Sequence, residues 1–118
     1  MEISTLISYL FHSRTQTHIF HLQTTSFAEH MALQGYYDGI IPLVDTLVES
    51  YQGKYGIITG YSNFKLVEYK GNGQTISYLE QLCEAVYQAS KSIEDTYIQN
   101  QLDTITELTK STIYKLKT

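Results

Sequence analysis

The sequence predicts an all-α fold: four amphipathic helices in one bundle, with a long connection between the second and the third. Three observations carry that expectation. Apolar residues recur at spacings of three and four in separate stretches along the chain. Five of the seven glycines, Gly53, Gly56, Gly60, Gly71 and Gly73, fall in one central stretch. The chain has 118 residues and is 42% apolar, enough for one core and too short for two, so residues 1–118 are expected to be a single domain.

The first helix is read from Ile3, Leu6, Ile7, Leu10 and Phe11, a face that His18, His21 and Leu22 continue. It should stop near Thr24 and Thr25. Ser26-Phe27-Ala28-Glu29 reads as a capping box, in which Ser26 bonds the first-turn N–H groups and the Glu29 side chain reaches back. The second helix therefore starts at about Phe27 and runs to Gln52, with Gly53 as its stop. Pro42 lies inside it and predicts a kink near Asp38, because proline lacks the N–H that this carbonyl would accept. Two shorter helices broken at that point are the alternative. Ile76, Leu79, Leu82, Cys83, Val86 and Tyr87 mark the third helix, and Tyr97, Ile98, Leu102, Ile105, Leu108 and Ile113 the fourth. The polar run Ser92-Ile93-Glu94-Asp95 should make the turn between them and cap the last helix; one long helix is the alternative. The connection from about Gly53 to Gly73 is long for a compact domain. Tyr61 to Tyr69 is therefore expected to have structure of its own, either a short helix or an extended crossing.

Charge and composition narrow the function classes. Eight Lys and Arg against twelve Asp and Glu give a net charge of −4, which offers no general attraction for a phosphate backbone. No stretch is long and apolar enough to span a membrane, and no secretory signal is expected. The single cysteine excludes an intrachain disulfide and a thiolate zinc cage, which fits a reducing, intracellular compartment. Cys83 lies on the apolar stripe of its helix and reads as a small core residue. There is no Gly-x-Ser-x-Gly elbow and no phosphate-binding glycine motif, which argues against hydrolases and nucleotide enzymes.

The charges are also unevenly placed. Arg14 is the only basic residue before Lys54, whereas the same segment holds Glu29, Asp38, Asp45, Glu49 and all four histidines. On a helical wheel His30, Gln34, Asp38, Asp45 and Glu49 share one sector about 100° wide. Ile41 and Val48 fall in the same sector, so this side is expected to be partly covered. A covered carboxylate needs a partner, either a cation from the fourth helix or a divalent metal ion. His18 and His21 stand three apart near the end of the first helix, close to where His30 begins the second. His12 has no such company and is set aside, and Glu29 is assigned to capping.

No Glu-x-x-His is present, which disfavours a di-iron centre within one chain. The spacing His18, eleven residues, His30, three, Gln34, ten, Asp45, three, Glu49, with Phe27 three before His30, resembles instead the Dps-like mini-ferritins of the ferritin-like superfamily. Thr17 to Gly56, with Ser26-Phe27-Ala28-Glu29-His30 and Tyr51-Gln52-Gly53-Lys54-Tyr55-Gly56, is similar to a small phage-encoded relative of that family. His21-Leu22-Gln23-Thr24 matches that relative's His-Trp-Gln-Thr motif and offers His21 in place of His18 as the first ligand. The resemblance implies a ferritin-like four-helix bundle, a homo-oligomer of at least two chains, and a metal site across their interface. Histidines and residue 34 would come from one subunit, Asp45 and Glu49 from another.

The metal implied is iron, with zinc or manganese as alternatives, and the activity implied is ferroxidase-like oxidation of Fe(II). The sequence departs from the pattern at Gln34, where the family has aspartate, and at Leu22, where the relative has tryptophan. The net charge and the lack of a Lys-rich tail argue against DNA binding. The location expected is cytoplasmic, the host cytoplasm if the chain is phage-encoded. A second class of function stays open: a bundle without catalysis that serves a phage as a structural or interaction protein. Eleven tyrosines, among them Tyr36, Tyr37, Tyr51 and Tyr55, suit such an interface.

Overall fold

The apolar spacing of the first stretch becomes α1, Ile3–Gln23, which buries Leu6, Ile7, Leu10 and Phe20 completely. The computed structural model describes all 118 residues and is entirely helical, with no strand. Phe27–Tyr55 forms α2, Asn72–Ser90 forms α3 and Thr96–Leu116 forms α4. Leu33, Tyr36, Ile40, Val44 and Leu47 of α2 meet Leu79 and Leu82 of α3 and Ile98 and Ile105 of α4 in one continuous core. Each fully buried leucine or isoleucine there contributes about 1.5–3 kcal/mol of transfer free energy.

Helix α1 packs on α2 and α3, and α4 packs on the same two, so α1 and α4 lie on one diagonal of the bundle. The directions follow from contacts at the helix ends. Thr75, at the start of α3, bonds Glu29, at the start of α2. Gln101, early in α4, bonds Ser50, late in α2. Helices α2 and α3 are therefore parallel, and the connection between them must run the full length of the bundle.

That connection is the extended crossing of the two expected forms, and α1 holds it in place. Ser8 accepts from the Ser62 amide at 2.8 Å, a ring nitrogen of His12 donates to the Lys65 carbonyl at 2.9 Å, and the Gln23 carboxamide oxygen accepts from Tyr69 N–H at 2.8 Å. Gln16, fully buried, makes the closest equivalent of a strand pairing: its carboxamide donates to the Val67 carbonyl at 2.9 Å and accepts from the Val67 N–H at 2.8 Å. The polar positions 8, 12, 16 and 23 lie along one side of α1, so the crossing runs parallel to that helix.

Several local expectations are corrected. Helix α2 is one helix through Pro42, as expected, but it ends at Tyr55 rather than Gln52. Gly53 stays helical. The stop is Gly56, whose φ of +92° a side chain would resist. Asp95 precedes α4 but does not cap it through its side chain. Its carboxylate instead takes Lys54 and the Tyr55 hydroxyl, and both donors hold it below the usual carboxylate range. Tyr36 is a core residue rather than an interface residue: it is fully buried and its hydroxyl donates to Ser13 Oγ at 2.8 Å, since the Ser13 proton goes to the Leu10 carbonyl. Cys83 is half-buried at the edge of the core, and burial pushes its thiol up, away from a reactive thiolate.

Candidate metal centre

The turn between α1 and α2 is short, and it brings the end of one helix against the start of the next. Ser26 caps α2 by accepting from Glu29 N–H at 3.2 Å. The reversal sets His21 beside His30, with ring centroids 3.6 Å apart and planes 21° from parallel. Each ring bonds the other residue's backbone. His21 Nδ1 lies 2.7 Å from the His30 carbonyl oxygen, and His30 Nδ1 lies 2.8 Å from that of His21. A carbonyl only accepts, so both Nδ1 atoms carry a proton, and the nitrogen left for a ligand on each ring is Nε2. A ligating histidine is usually oriented by such a bond from its other nitrogen.

His18 completes the cluster without sharing that geometry. Its ring stacks on Tyr37 at 4.1 Å and stands 5.7 Å from His21. Arg14 lies over the same Tyr37 ring, 5.5 Å from its centre. Burial, then the Arg14 charge and His21, pull His18 below the ordinary imidazole value, against the opposing pull of Asp38. The Tyr37 hydroxyl stands 3.4 Å from His21 Nε2, the nearest polar group to that lone pair. Phe27 stands 6.1 Å from His30 and is 75% exposed, and Leu22 and Met31, next in sequence to His21 and His30, are also exposed.

The other proposed ligands do not join the histidines within one chain. Gln34 is half-buried on α2; Asp45 and Glu49 are exposed farther along the same helix, and neither bonds a protein group. Asp38 is likewise exposed, and the chain's one ion pair is Lys54 with Asp95. The chain covers this sector only in part: Ile41 and Val48 pack against the core, while the carboxylates of Asp38, Asp45 and Glu49 stay exposed. No group of three His, Cys, Asp or Glu side chains converges as a metal cage within the protomer.

Glu29 departs from the capping-box reading in an instructive way. Its backbone N–H follows the expected pattern, but its side chain does not return to Ser26, whose N–H goes to Thr24 Oγ1 at 3.2 Å. The carboxylate turns inward, 6% exposed, and accepts from the hydroxyls of Tyr69 at 2.8 Å, Thr24 at 3.2 Å and Thr75 at 3.3 Å. It ties α1, α2, the crossing and α3 together at the end of the bundle that carries the histidines. His12, set aside in the sequence, is also a tie. Because its Nε2 donates to Lys65, its Nδ1 accepts from the Tyr78 hydroxyl at 2.7 Å. The available signal was the polar row Ser8, His12 and Gln16 at spacings of four, which a wholly apolar helix face would not contain.

No helix is long and apolar enough to cross a membrane. A family of unknown function, DUF5856, matches residues 21–116, from the first histidine of the stacked pair to the end of α4, and the chain belongs to it. No curated protein and no solved structure matches the chain.

Proposed function

We propose that this member of the DUF5856 family is a ferritin-like, Dps-like protein that binds a divalent first-row metal ion, iron in the first place, between two copies of the chain. The observation that carries the reading is the reciprocal pair of bonds between His21 and His30, which orients both Nε2 atoms, His21's toward the Tyr37 hydroxyl at 3.4 Å, with no third His, Cys, Asp or Glu of the same chain completing a cage. Asp45 and Glu49, exposed and unpaired on α2, supply what is lacking when they come from a second copy. The exposed Phe27 beside His30, with exposed Leu22 and Met31 next to the histidines in sequence, gives that copy apolar area to cover. A single long crossing between two antiparallel helix pairs is also the connectivity of ferritin-like bundles.

In this reading His21 and His30 bind through neutral imidazole, Asp45 and Glu49 neutralise the cation, and Gln34 contributes at most a carbonyl oxygen. His18 is an accessory to the site, because no backbone group orients its ring. Bound Fe(II) would give one electron to peroxide or oxygen; Zn(II) or Mn(II) would occupy the same donors without that turnover. A reducing cytoplasm matches the lone thiol of Cys83 and the need for Fe(II).

The test is titration of the dialysed protein with Fe(II) under argon, Zn(II) and Mn(II), beside a light-scattering mass. Saturable binding by a dimer or larger assembly, lost in His30→Ala and in Asp45→Ala, supports the proposal. A second reading is a bundle that only binds partners, through exposed apolar side chains such as Phe27, 75% exposed. It predicts unchanged assembly after all ligand substitutions and no saturable metal binding.

A further inference from the structure

A second cluster of rings lies away from the histidine pair, where the crossing passes between α1 and α3. Four rings close a circuit: Tyr9 to Phe64 at 6.0 Å, Phe64 to His12 at 6.0 Å, His12 to Tyr78 at 5.7 Å, and Tyr78 back to Tyr9 at 5.9 Å. All four pairs are tilted or edge-on, with interplanar angles from 49° to 79°, so none closes face to face on its neighbour. They line a crevice of about 370 Å³, within the size range of small-molecule sites.

Hydrogen bonds at three points preorganise this crevice. His12 joins the Lys65 carbonyl to the Tyr78 hydroxyl, and the double bond from Gln16 to Val67 and the Ser8 bond to Ser62 fix the crossing on either side of Phe64. Phe64 is thereby held over the opening although it is 38% exposed. His12 uses both ring nitrogens in these bonds and has none left for a ligand. Tyr9 is different: the residue is half-buried and its hydroxyl bonds no protein group.

The charge on the walls decides the class of ligand. No carboxylate lines the crevice, whereas Lys65 does, on an exposed stem that can bring its ammonium to the mouth. An ammonium ligand would find aromatic faces but a like charge and no counter-ion. We propose that the crevice bounded by Tyr9, His12, Phe64 and Tyr78 binds a small planar aromatic acid, its ring among the four aromatic side chains, its anionic group toward Lys65 and the Tyr9 hydroxyl. This site is independent of the metal proposal.

Naphthoate is the probe, with naphthylmethanol and naphthylmethylammonium as neutral and cationic counterparts, followed by calorimetry and by the NMR signals of the tyrosine rings. One naphthoate per chain is expected to bind saturably, shifting Tyr9 and Tyr78, at least about tenfold more tightly than the ammonium probe. Lys65→Gln should weaken naphthoate by about fivefold to tenfold and leave the alcohol unchanged. Phe64→Ala, at a partly exposed position in the crossing, should weaken both by about tenfold or more with the helical signal intact. Lack of saturation at about ten times a millimolar Kd, equal or tighter binding of the ammonium, or an unchanged affinity in Phe64→Ala would each overturn the proposal.

Discussion

Glu29→Ala is the most informative single change to the fold, because the carboxylate holds four segments at once. It is 6% exposed and receives three hydroxyl protons, from Tyr69 at 2.8 Å, Thr24 at 3.2 Å and Thr75 at 3.3 Å. A hydrogen bond to a charged group contributes about 1.5–3 kcal/mol when short, and the two longer ones contribute less. Removing the acid also removes the cost of burying it, which offsets part of the loss. Thr75 is fully buried and would be left with a stranded hydroxyl. The net expectation is about 3 kcal/mol of destabilisation, a fall in Tm of about 10 °C for a chain of this size.

Urea unfolding followed by circular dichroism should show the midpoint falling with the slope unchanged. Tyr69→Phe, which deletes only the shortest bond, should cost about 1–2 kcal/mol, and the double variant should cost less than the sum of the two. If Glu29→Ala lies within about 0.5 kcal/mol of the parent, the inward carboxylate is not holding the helices and the argument is wrong.

Three further expectations follow from the same contacts. Gln16→Ala should cost about 1–2 kcal/mol and raise hydrogen exchange at the Val67 amide selectively; unchanged protection there would remove the clamp. His18 should titrate below 6.5 by NMR, and Arg14→Gln should raise its midpoint. Since the folded value lies below the unfolded one, the stability from this group is present above pH 6.5 and is lost as pH falls through the folded value; a midpoint above 6.5 contradicts this. Gly35→Ala should stabilise by about 0.5–1 kcal/mol in urea unfolding, because the position is helical and a Cβ there meets nothing within 4 Å, and a loss of stability would refute it.

The helices were legible because their cause is local. Leu6, Ile7 and Leu10, or Leu79, Leu82 and Val86, repeat at the spacing that places them on one face, and that face is the one buried. What depended on a competitor elsewhere in the fold was not legible. Ser26 and Glu29 have the spacing of a capping box, but Tyr69 and Thr75 draw the carboxylate inward and Thr24 takes the amide it would have met. Gly53 and Gly56 are equal as letters; only the second needs a positive φ, because the chain turns there into the crossing. The passage of α2 through Pro42 was legible, because the apolar phase of Ile40, Val44 and Leu47 continues across it although the Asp38 carbonyl loses its usual donor.

In the candidate site the sequence placed His18, His21 and His30 in one neighbourhood, because a short turn leaves little freedom. It did not reveal that Nδ1 of His21 and His30 would exchange backbone bonds, which depends on the angle between two helices. That Asp45 and Glu49 stand far from His30 was legible, since fifteen or more residues of one helix at about 1.5 Å each separate them.

A mixing experiment addresses the shared site most directly. A variant lacking His21 and His30 and a second lacking Asp45 and Glu49 should each fail to bind metal alone, while a mixed dimer rebuilds one complete site from the histidines of one chain and the carboxylates of the other. Equal mixing and exchange should restore about a quarter of the parent capacity, one site of two in half the dimers. No recovery, with mixed dimers demonstrated by mass, would contradict a metal ion held between copies.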